Sequence, residues 1–287
     1  MKMKQNSPIT MKDIARDLGV SVATVSRALK DSPRISEAKR REIQEYAREQ
    51  NFLPNVIAET LRKSRVQPNK VIGVIVPQFI HYYFASILKG VEEEASRRGY
   101  RIMVAQSDDK YEREVEICKS FYANKCCGII VSMAKNTTKY DHFQKLIDMG
   151  IPLVFYDRIC TGVNASRVVV DDYMGAYTAV THLIDTGCRK IAYYGMVQSM
   201  EIDKNRFNGY EDALRKHGLK PNPDWLRKCD NRADAEVVTP EILAQPDHPD
   251  AFFAINDDTA IGILYSAKKM GFDVPDDISI CGFTNGN

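Results

Sequence analysis

The exposed face of a short predicted helix near the amino end carries side chains suited to reading DNA bases. Most are short, which lets a helix sink into a major groove, and one is a long cation: Val22, Ala23, Thr24, Ser26 and Arg27. The Arg27 guanidinium can bond two acceptors on a guanine edge, and Val22 and Ala23 can contact thymine methyl groups. This combination predicts sequence-specific contact with duplex DNA.

Two helices joined by a tight turn would position that face. The first is predicted over residues 10–18, where Thr10 and Asp13 have the spacing of a capping box. Gly19 is suited to end this helix, and Ser21 is suited to cap the second. The arrangement is typical of a helix-turn-helix, and a structural three-helix cap with a solvated basic face is the alternative interpretation.

The charge of the chain is divided between its two ends. At the amino end, a third helix with basic residues on its outer side is predicted from Ser36 through Gln50. Residues 1–70 hold 15 Lys and Arg against 8 Asp and Glu, whereas residues 71–287 hold 25 against 30. Because neutralising phosphates releases counterions, a polyanionic partner is expected at the amino end.

The segment over residues 54–63 is long enough for about two helical turns, too few to be stable alone in water. It is followed by a polar linker that runs to residue 70. We expect this segment to become ordered only against a partner, so that its helicity can change with binding.

From residue 71 onward, short runs rich in β-branched residues alternate with amphipathic stretches. The runs predicted as buried strands are VIGVIV (71–76), RIMVA (101–105), GIIV (128–131), LVFY (153–156), VVV (168–170), KIAYY (190–194), AFFAI (251–255) and ISICGF (278–283). Alternating strands and helices predict parallel, doubly wound sheets, which bind ligands beyond the carboxyl ends of their strands. Two such sheets are expected.

The motifs of several enzyme classes are missing from the sequence. No GxGxxG follows a strand and no GxxxxGK[ST] occurs, so dinucleotide and phosphoryl-transfer chemistry have no support. The tripeptide Asp185-Thr186-Gly187 resembles an aspartic-protease signature, but it is predicted to end a helix at Gly187. The five histidines stand apart, and none of their spacings is typical of a metal site.

Cysteine usage and hydropathy favour a cytosolic protein. The seven cysteines include no Cys-x-x-Cys pair, so we expect free thiols packed as small hydrophobic side chains. The longest apolar runs, Val71–Pro77 and Cys126–Ala134, are far shorter than the roughly 20 residues that cross a bilayer. The first residues lack the apolar stretch of a signal peptide.

Residues 10–61 resemble the DNA-binding headpiece of the lactose-repressor/galactose-repressor (LacI/GalR) family of bacterial transcription regulators, in the run TMKDIARDLGVSVATVSRALKDSPRISEAKRREIQEYAREQNFLPNVIAETL. The resemblance implies a hinge helix that pairs with its copy in a second subunit and wedges Leu61, with Ala58 beside it, into the minor groove. It also assigns six residues to the sugar-phosphate backbone: Thr10, Ser21, Thr24, Lys30, Arg34 and Asn55. Family members that have long side chains at the positions of Val22 and Ala23 differ from this chain. Their operator sequences are therefore not expected for it.

Residues 71–287 are similar to the two-lobed sensor domain of the same family, itself like periplasmic sugar-binding proteins. The resemblance lies in IPLVFYDR, VVVDDYMGAYTAVTHLIDTGCRKIAYYG, NRFNGYEDAL and AFFAINDDTAIGILYSAKKMGFDVPDDISICGF. By position it implies effector contacts at Tyr83, Phe84, Asp157, Arg206, Asn256, Asp257 and Thr284. Their carboxylates, amide, guanidinium and aromatic rings suit a polyhydroxylated ligand.

The sensor half departs from the family pattern at two positions. Thr284 stands where many relatives have an acidic residue after the last strand, and Asn231 stands where some carry a stacking aromatic residue. Simpler structural roles stay open for several candidates: a helix cap for Asp257, the core for Tyr83 and Phe84, and a helix-end cation for Arg206. The effector of a named relative therefore does not carry over.

The sequence and the resemblance together predict three parts. These are a small all-α helix-turn-helix headpiece (1–53), a hinge helix and linker (54–70), and an α/β two-lobed, periplasmic-binding-protein-like sensor domain with two doubly wound parallel sheets (71–287). Because family members continue for several dozen residues beyond the last strand, we expect the carboxyl-side lobe to be incomplete in this chain.

The expected function is that of a homodimeric transcription regulator, a repressor, in the cytoplasm. A small molecule, a sugar or sugar derivative, would control its affinity for a palindromic operator in double-stranded DNA. No catalytic residue, metal, cofactor or membrane is expected. The alternatives are a sugar enzyme with an appended DNA-binding module, which needs a phosphate-cradling loop, and a solute-binding transport component, which needs an export signal.

Overall fold

The chain divides into two compact units, the first ending at Pro68 and the second beginning at Asn69. The computed structural model describes residues 9–50, 52, 69–80, 82–195 and 200–284. None of the helices in these ranges is both long and apolar enough to cross a membrane.

The first unit contains three helices: α1 (Met11–Asp17), α2 (Val22–Ala28) and α3 (Glu37–Glu49). The predicted capping box is confirmed, because the Thr10 side chain accepts from the Asp13 backbone N–H while the Asp13 carboxylate accepts from the Thr10 backbone N–H. Gly19 has a φ of 61°, the left-handed conformation that glycine adopts without a steric penalty. The helix-turn-helix prediction is therefore confirmed.

A small apolar core holds these helices together. Its buried members are Ile14, Ala15, Val25, Ala28, Ile43 and Ala47. Val25 is fully buried between the helices, as the spacing of apolar residues predicts, and Ala15 is small where α1 and α2 approach. Since these side chains fill the inner face of α2, the opposite face of that helix is left to solvent.

The second unit contains seven helices and nine strands among its described residues. The helices are α4 (Tyr82–Arg97), α5 (Tyr111–Ala123), α6 (Asp141–Asp148), α7 (Asp172–Asp185), α8 (Glu201–Lys216), α9 (Arg232–Leu243) and α10 (Asp257–Lys269). The strands are β1 (Val71–Val76), β2 (Arg101–Gln106), β3 (Gly128–Val131), β4 (Leu153–Tyr156), β5 (Ser166–Val168), β6 (Ile191–Gly195), β7 (Leu226–Lys228), β8 (Ala251–Ala254) and β9 (Ser279–Cys281).

The strands form two parallel sheets, as predicted. The first has the order β2-β1-β3-β4-β5 and belongs to what we name the first lobe, residues 69–170. The second has the order β7-β6-β8-β9 and belongs to the second lobe, residues 172–284. Every residue of β6 is buried, with Tyr193 in the core on one side of its sheet and Tyr194 in the core on the other. Helices cover both faces of this sheet, which is the doubly wound arrangement.

Several strand predictions were wrong in part. The edge strands β2 and β9 were predicted as buried, but their residues are half-buried, apart from the exposed Arg101. The run Val168–Val170 was predicted as a buried strand, but β5 spans Ser166–Val168 and all three valines are more than half exposed. β5 lies at the edge of its sheet, so pairing with β4, rather than the run of β-branched residues, decides its bounds. Strand β7 (Leu226–Lys228) was not predicted, because a three-residue edge strand with two basic residues carries no apolar pattern.

The protease-like tripeptide has the structural role that its context predicts. Helix α7 ends at Asp185, Thr186 is the C-cap, and Gly187 follows with a φ of 111°. All seven cysteines lie in the described part of the chain and are free thiols.

The contact between α7 and α8 depends on Gly209, and this generates a prediction about stability. A Cβ atom at position 209 would lie 2.4 Å from the Tyr173 carbonyl oxygen and 2.9 Å from the Tyr177 amide nitrogen. Backbone atoms in a packed helix cannot give way easily, so Gly209→Ala should lower the free energy of unfolding by about 1–3 kcal/mol. Urea denaturation followed by circular dichroism measures this.

Gly90 in α4 supplies the matched control. A Cβ atom there would meet nothing within 4 Å, so Gly90→Ala should raise the free energy of unfolding by about 0.5–1 kcal/mol through helix propensity alone. Equal shifts of the free energy of unfolding, in the same direction for both variants, would contradict the close packing assigned to Gly209.

Candidate functional site

The predicted base-reading face of α2 is accessible within its unit. Val22, Ala23 and Arg27 are exposed, and Thr24 and Ser26 are half-buried. The four predicted phosphate contacts on neighbouring segments are also exposed: Thr10, Ser21, Lys30 and Arg34. The unit thus presents short side chains and a cation on α2, with hydroxyl groups at the N-caps of α1 and α2 and cations in the segment after α2.

Two of the predicted contacts also stabilise the start of α2. The Ser21 hydroxyl oxygen accepts from the Thr24 backbone N–H at 3.0 Å and lies 2.8 Å from the Thr24 hydroxyl. This N-cap fixes the first turn of α2, which is the part of a recognition helix that enters a groove. The predictions for Asn55, Ala58 and Leu61 lie outside the described residues.

A cavity of about 310 Å³ lies between the two lobes, beyond the carboxyl ends of the strands. All seven residues predicted to contact an effector line it: Tyr83, Phe84, Asp157, Arg206, Asn256, Asp257 and Thr284. They come from the start of α4, the loop after β4, the middle of α8, the start of α10 and the segment after β9. Their convergence is a result of the parallel topology, since strands of a parallel sheet end at one edge.

Asp157 and Tyr83 form the polar part of the wall that the first lobe supplies. Asp157 follows β4 with a φ of 56° and accepts a hydrogen bond from the Ser132 hydroxyl at 3.4 Å. Burial raises the pKa of the Tyr83 hydroxyl, and the charge of Asp157 together with their hydrogen bond raises it further. Tyr83 is therefore a neutral phenol at the wall of the cavity.

Phe84 belongs to the core and also lines the cavity. It is 4% exposed and packs edge-to-face on Tyr156 with ring centroids 6.4 Å apart. Tyr83 packs on Phe84 in the same manner at 5.4 Å. The two aromatic side chains thus form a supported apolar surface at the cavity.

Arg206 is a buried cation in the middle of α8, so the helix-end interpretation was wrong. Its Nε and Nη2 atoms lie 2.9 and 2.8 Å from Oδ1 of Asp172, and its Nη1 donates to the Ile255 carbonyl. The guanidinium also lies over the Phe283 ring at 3.7 Å. Burial raises the pKa of Asp172, although the positive charge of Arg206 opposes this shift.

The start of α10 is capped by Asn256, so the helix-cap interpretation of Asp257 was wrong. The Asn256 side chain accepts from the Thr259 backbone N–H at 2.8 Å and donates to the Asp230 carbonyl at 2.9 Å. Asp257 is instead the first helical residue, and its backbone N–H donates to the Thr284 hydroxyl oxygen at 3.2 Å. Thr284 in turn donates its backbone N–H to the Asp257 carboxylate at 3.3 Å.

Several charged residues of the cavity were not predicted from the sequence: Lys135, Arg158, Asp230 and Asp258. Nor was the apolar lining at Ile80, Tyr82, Met200, Ile202, Ile255 and Ile261. Asn231, at the position where some relatives carry an aromatic residue, is not among the lining residues and caps α9 instead. Lys135 and Asp230 follow β3 and β7, so the rule that ligands bind beyond strand ends is the signal that would have found them.

Each lining cation contacts a carboxylate of the chain. Arg206 contacts Asp172, Arg158 contacts Asp109, and Lys135 contacts Asp230. The Lys135–Asp230 pair joins the first lobe to the second. In the part of the chain that the structure describes, no group of three or more His, Cys, Asp or Glu side chains is arranged to hold a metal ion.

Two family models match the chain. "Bacterial regulatory proteins, lacI family" matches residues 10–55, and "Periplasmic binding proteins and sugar binding domain of LacI family" matches residues 69–285. Together they cover the first unit's described helices and nearly the whole second unit.

Individual proteins agree with the family models. The chain is 29% identical to catabolite control protein A of Priestia megaterium and 30% identical to the NTD biosynthesis operon regulator NtdR of Bacillus subtilis. Each match covers 96% of this chain and 82% of the relative. A crystal structure of the lac repressor dimer bound to operator and the anti-inducer ONPF has a TM-score of 0.80 at 21% identity, over 96% of this chain and 82% of that one, which supports the fold.

The headpiece, the two-lobed unit and the relatives lead to one assignment. The chain belongs to the LacI family of bacterial regulatory proteins, and it is a ligand-controlled, DNA-binding transcriptional regulator rather than an enzyme.

Proposed function

We propose that the cavity between the lobes is the effector site and that the effector is a polyhydroxylated molecule, a sugar or a sugar derivative. The observation that carries this proposal is the convergence of seven residues, from five separate segments of the chain, on one cavity. The family model that matches residues 69–285 names a sugar-binding domain, which supports the same ligand class.

The chemistry of the lining suits such a molecule. The Asp157 and Asp257 carboxylates have lone pairs that accept from hydroxyl groups, and Arg206 has N–H groups beyond those that its protein partners use. Phe84 and Tyr83 offer apolar faces to the carbons of a ring. A cavity of about 310 Å³ is at the lower end of the usual size of small-molecule sites.

We infer that the headpiece, residues 1–53, reads one half-site of an operator and that a second subunit reads the other. Arg27 would contact a guanine, and Val22 and Ala23 would contact thymine methyl groups. Thr10, Ser21, Lys30 and Arg34 would hold the phosphates. Two copies of one reading helix require a palindromic operator with half-sites about one helical turn apart. Because the chromosome is the partner, the protein would act in the cytoplasm.

The ligand would act through the arrangement of the lobes. A molecule that binds one arrangement of the lobes more tightly than another shifts the population toward the arrangement that it prefers. The shift in the equilibrium between the arrangements cannot exceed the ratio of the two affinities. We propose that residues 54–70 transmit this change to the headpiece, with Leu61 as the minor-groove wedge and Ala58 and Asn55 beside it.

Replacing Arg27 tests the assignment of the reading helix. Arg27→Ala should remove the preference for one base pair in each half-site, because a bidentate guanine contact contributes about 1–3 kcal/mol of discrimination. Selection of binding sequences from randomised duplexes, with the full chain, measures this preference.

Arg16→Ala is the matched control for that experiment. Arg16 is exposed on α1, where it pairs with Asp13 and Asp17. The Arg16→Ala variant therefore removes the same charge as Arg27→Ala, but from another helix. It should weaken binding to all duplexes alike. An identical set of selected sequences for Arg27→Ala and the unmodified protein would refute the base contact.

Replacing Asp157 tests the effector site. Asn tolerates the left-handed backbone of position 157 as well as Asp does, so Asp157→Asn should leave the fold intact. It removes a charged acceptor whose hydrogen bonds contribute about 1.5–3 kcal/mol, so affinity for the best-binding sugar of a thermal-shift screen should fall about 10-fold to 100-fold. Titration calorimetry measures the affinity.

Asp108→Asn provides a control with nearly the same backbone conformation. Asp108 has a φ of 53°, pairs with Arg113 and is not among the cavity-lining residues. This variant should bind the same sugar with unchanged affinity, and both variants should bind DNA normally without sugar. Equal loss of sugar affinity in the two variants would count against Asp157 as a contact.

A further inference from the structure

We propose that the cavity selects ligands that carry no negative charge, and that Asp230 provides a place for an amino group of the ligand. The inference deepens the proposed effector function and rests on it. It concerns the charge of the ligand, which the family assignment leaves open.

The charged groups around the cavity are mostly acidic. Three cations line it: Lys135, Arg158 and Arg206. Four carboxylates line it, and two more lie directly behind the arginines: Asp157, Asp230, Asp257, Asp258, Asp109 and Asp172. Carboxylates therefore outnumber cations in a partly enclosed space, where charges are screened less than in open solvent. An anionic ligand would enter against this excess.

The cations of the cavity are already engaged by the chain. Arg206 uses Nε and Nη2 for Asp172 and Nη1 for the Ile255 carbonyl. Arg158 is held by Asp109, with side chains that are 14% and 15% exposed. Strong phosphate sites present the N–H donors of an arginine to the ligand, and here such donors bind carboxylates of the protein. A phosphate would find only the arginine N–H groups that these partners leave over, with the partner carboxylates close beside it.

Asp230 already binds an ammonium group, that of Lys135. The two side chains are 29% and 19% exposed, and they meet between the lobes, in the cavity itself. The backbone of each residue is held within its own lobe. The Lys135 N–H donates to Asp109 at 3.1 Å, and the Asp230 carbonyl accepts from Asn256 at 2.9 Å.

An amino group of a ligand could therefore take the position of the lysine ammonium. Only the flexible lysine side chain would need to move, since both backbone segments are anchored. The exchange replaces one charge-assisted hydrogen bond by another of the same kind, so the carboxylate is not left unpaired.

Matched sugars test the charge preference directly. Thermal shift and then titration calorimetry on the full chain would compare three sets of sugars, each built on one sugar ring. The first set is D-glucose, D-glucosamine and D-glucose 6-phosphate, and the other two are the corresponding galactose and mannose sets. We expect the free or amino sugar of at least one set to bind, with its phosphate ester at least tenfold weaker. A phosphate ester that binds most tightly, or no binding by any free or amino sugar, would overturn the proposal.

Two variants test the role of Asp230. Lys135→Met keeps the aliphatic stem and leaves the carboxylate to the ligand, so the affinity for the amino sugar relative to its free sugar should rise about tenfold. Asp230→Asn should lower that ratio about tenfold. Asp247→Asn is the control, because Asp247 also pairs with a lysine, Lys190, but is 75% exposed and does not line the cavity. A ratio unchanged by both cavity variants would refute the amino site.

DNA binding by the same preparations separates this inference from the proposed function. If a phosphate ester binds the cavity most tightly and alters DNA binding, the effector function holds and the charge selection is wrong. If a free or amino sugar binds as expected but no sugar alters DNA binding, the charge selection holds and the effector function is wrong.

Discussion

The buried ion pair between Arg206 and Asp172 holds together the wall of the cavity that the second lobe supplies. Asp172 begins α7, Arg206 lies in α8, and the same guanidinium reaches the Ile255 carbonyl after β8 and the Phe283 ring after β9. Removing one partner of a buried pair typically costs about 3–5 kcal/mol, because the other charge is left without compensation. Arg206 is therefore a structural residue of the lobe as well as a donor at the cavity, and the two roles cannot be separated by deleting it.

The first lobe organises its side of the cavity with strained turns. Asp108, Asp109 and Asp157 have φ values of 53°, 57° and 56°, in the left-handed region that Asp and Asn enter at the lowest cost among residues with a side chain. From this conformation Asp109 binds both the Arg158 guanidinium and the Lys135 backbone N–H. A turn after β2 thereby fixes the loops after β3 and β4. Local strain is offset here by charged hydrogen bonds, as is common where a protein contacts a ligand.

Local signals in the sequence predicted the parts of the fold that local physics decides. The capping box of α1, the left-handed Gly19 and the end of α7 just before Gly187 each depend on residues within one helical turn. Strand β7 and the edge strand β5 could not be bounded in this way, because only pairing with a distant strand defines them. All seven effector candidates that the resemblance gave line one cavity. The resemblance did not give Lys135 or Asp230, whose contact joins residues 95 positions apart in different lobes.

A ligand controls the lobe arrangement when it binds one arrangement more tightly than another, and side chains that join the lobes line the cavity. Met200 and Ile202, at the start of α8 in the second lobe, pack on the apolar core of the first lobe, and both line the cavity. The Lys135–Asp230 pair joins the lobes at the same place. A molecule bound in the cavity would contact the groups that join the lobes, and its binding free energy would then differ between lobe arrangements. A tenfold difference in affinity corresponds to about 1.4 kcal/mol, which a single charge-assisted hydrogen bond can supply. Under the proposed function, the acidic lining would decide which molecules enter, and its position between the lobes would couple their entry to the state of the regulator.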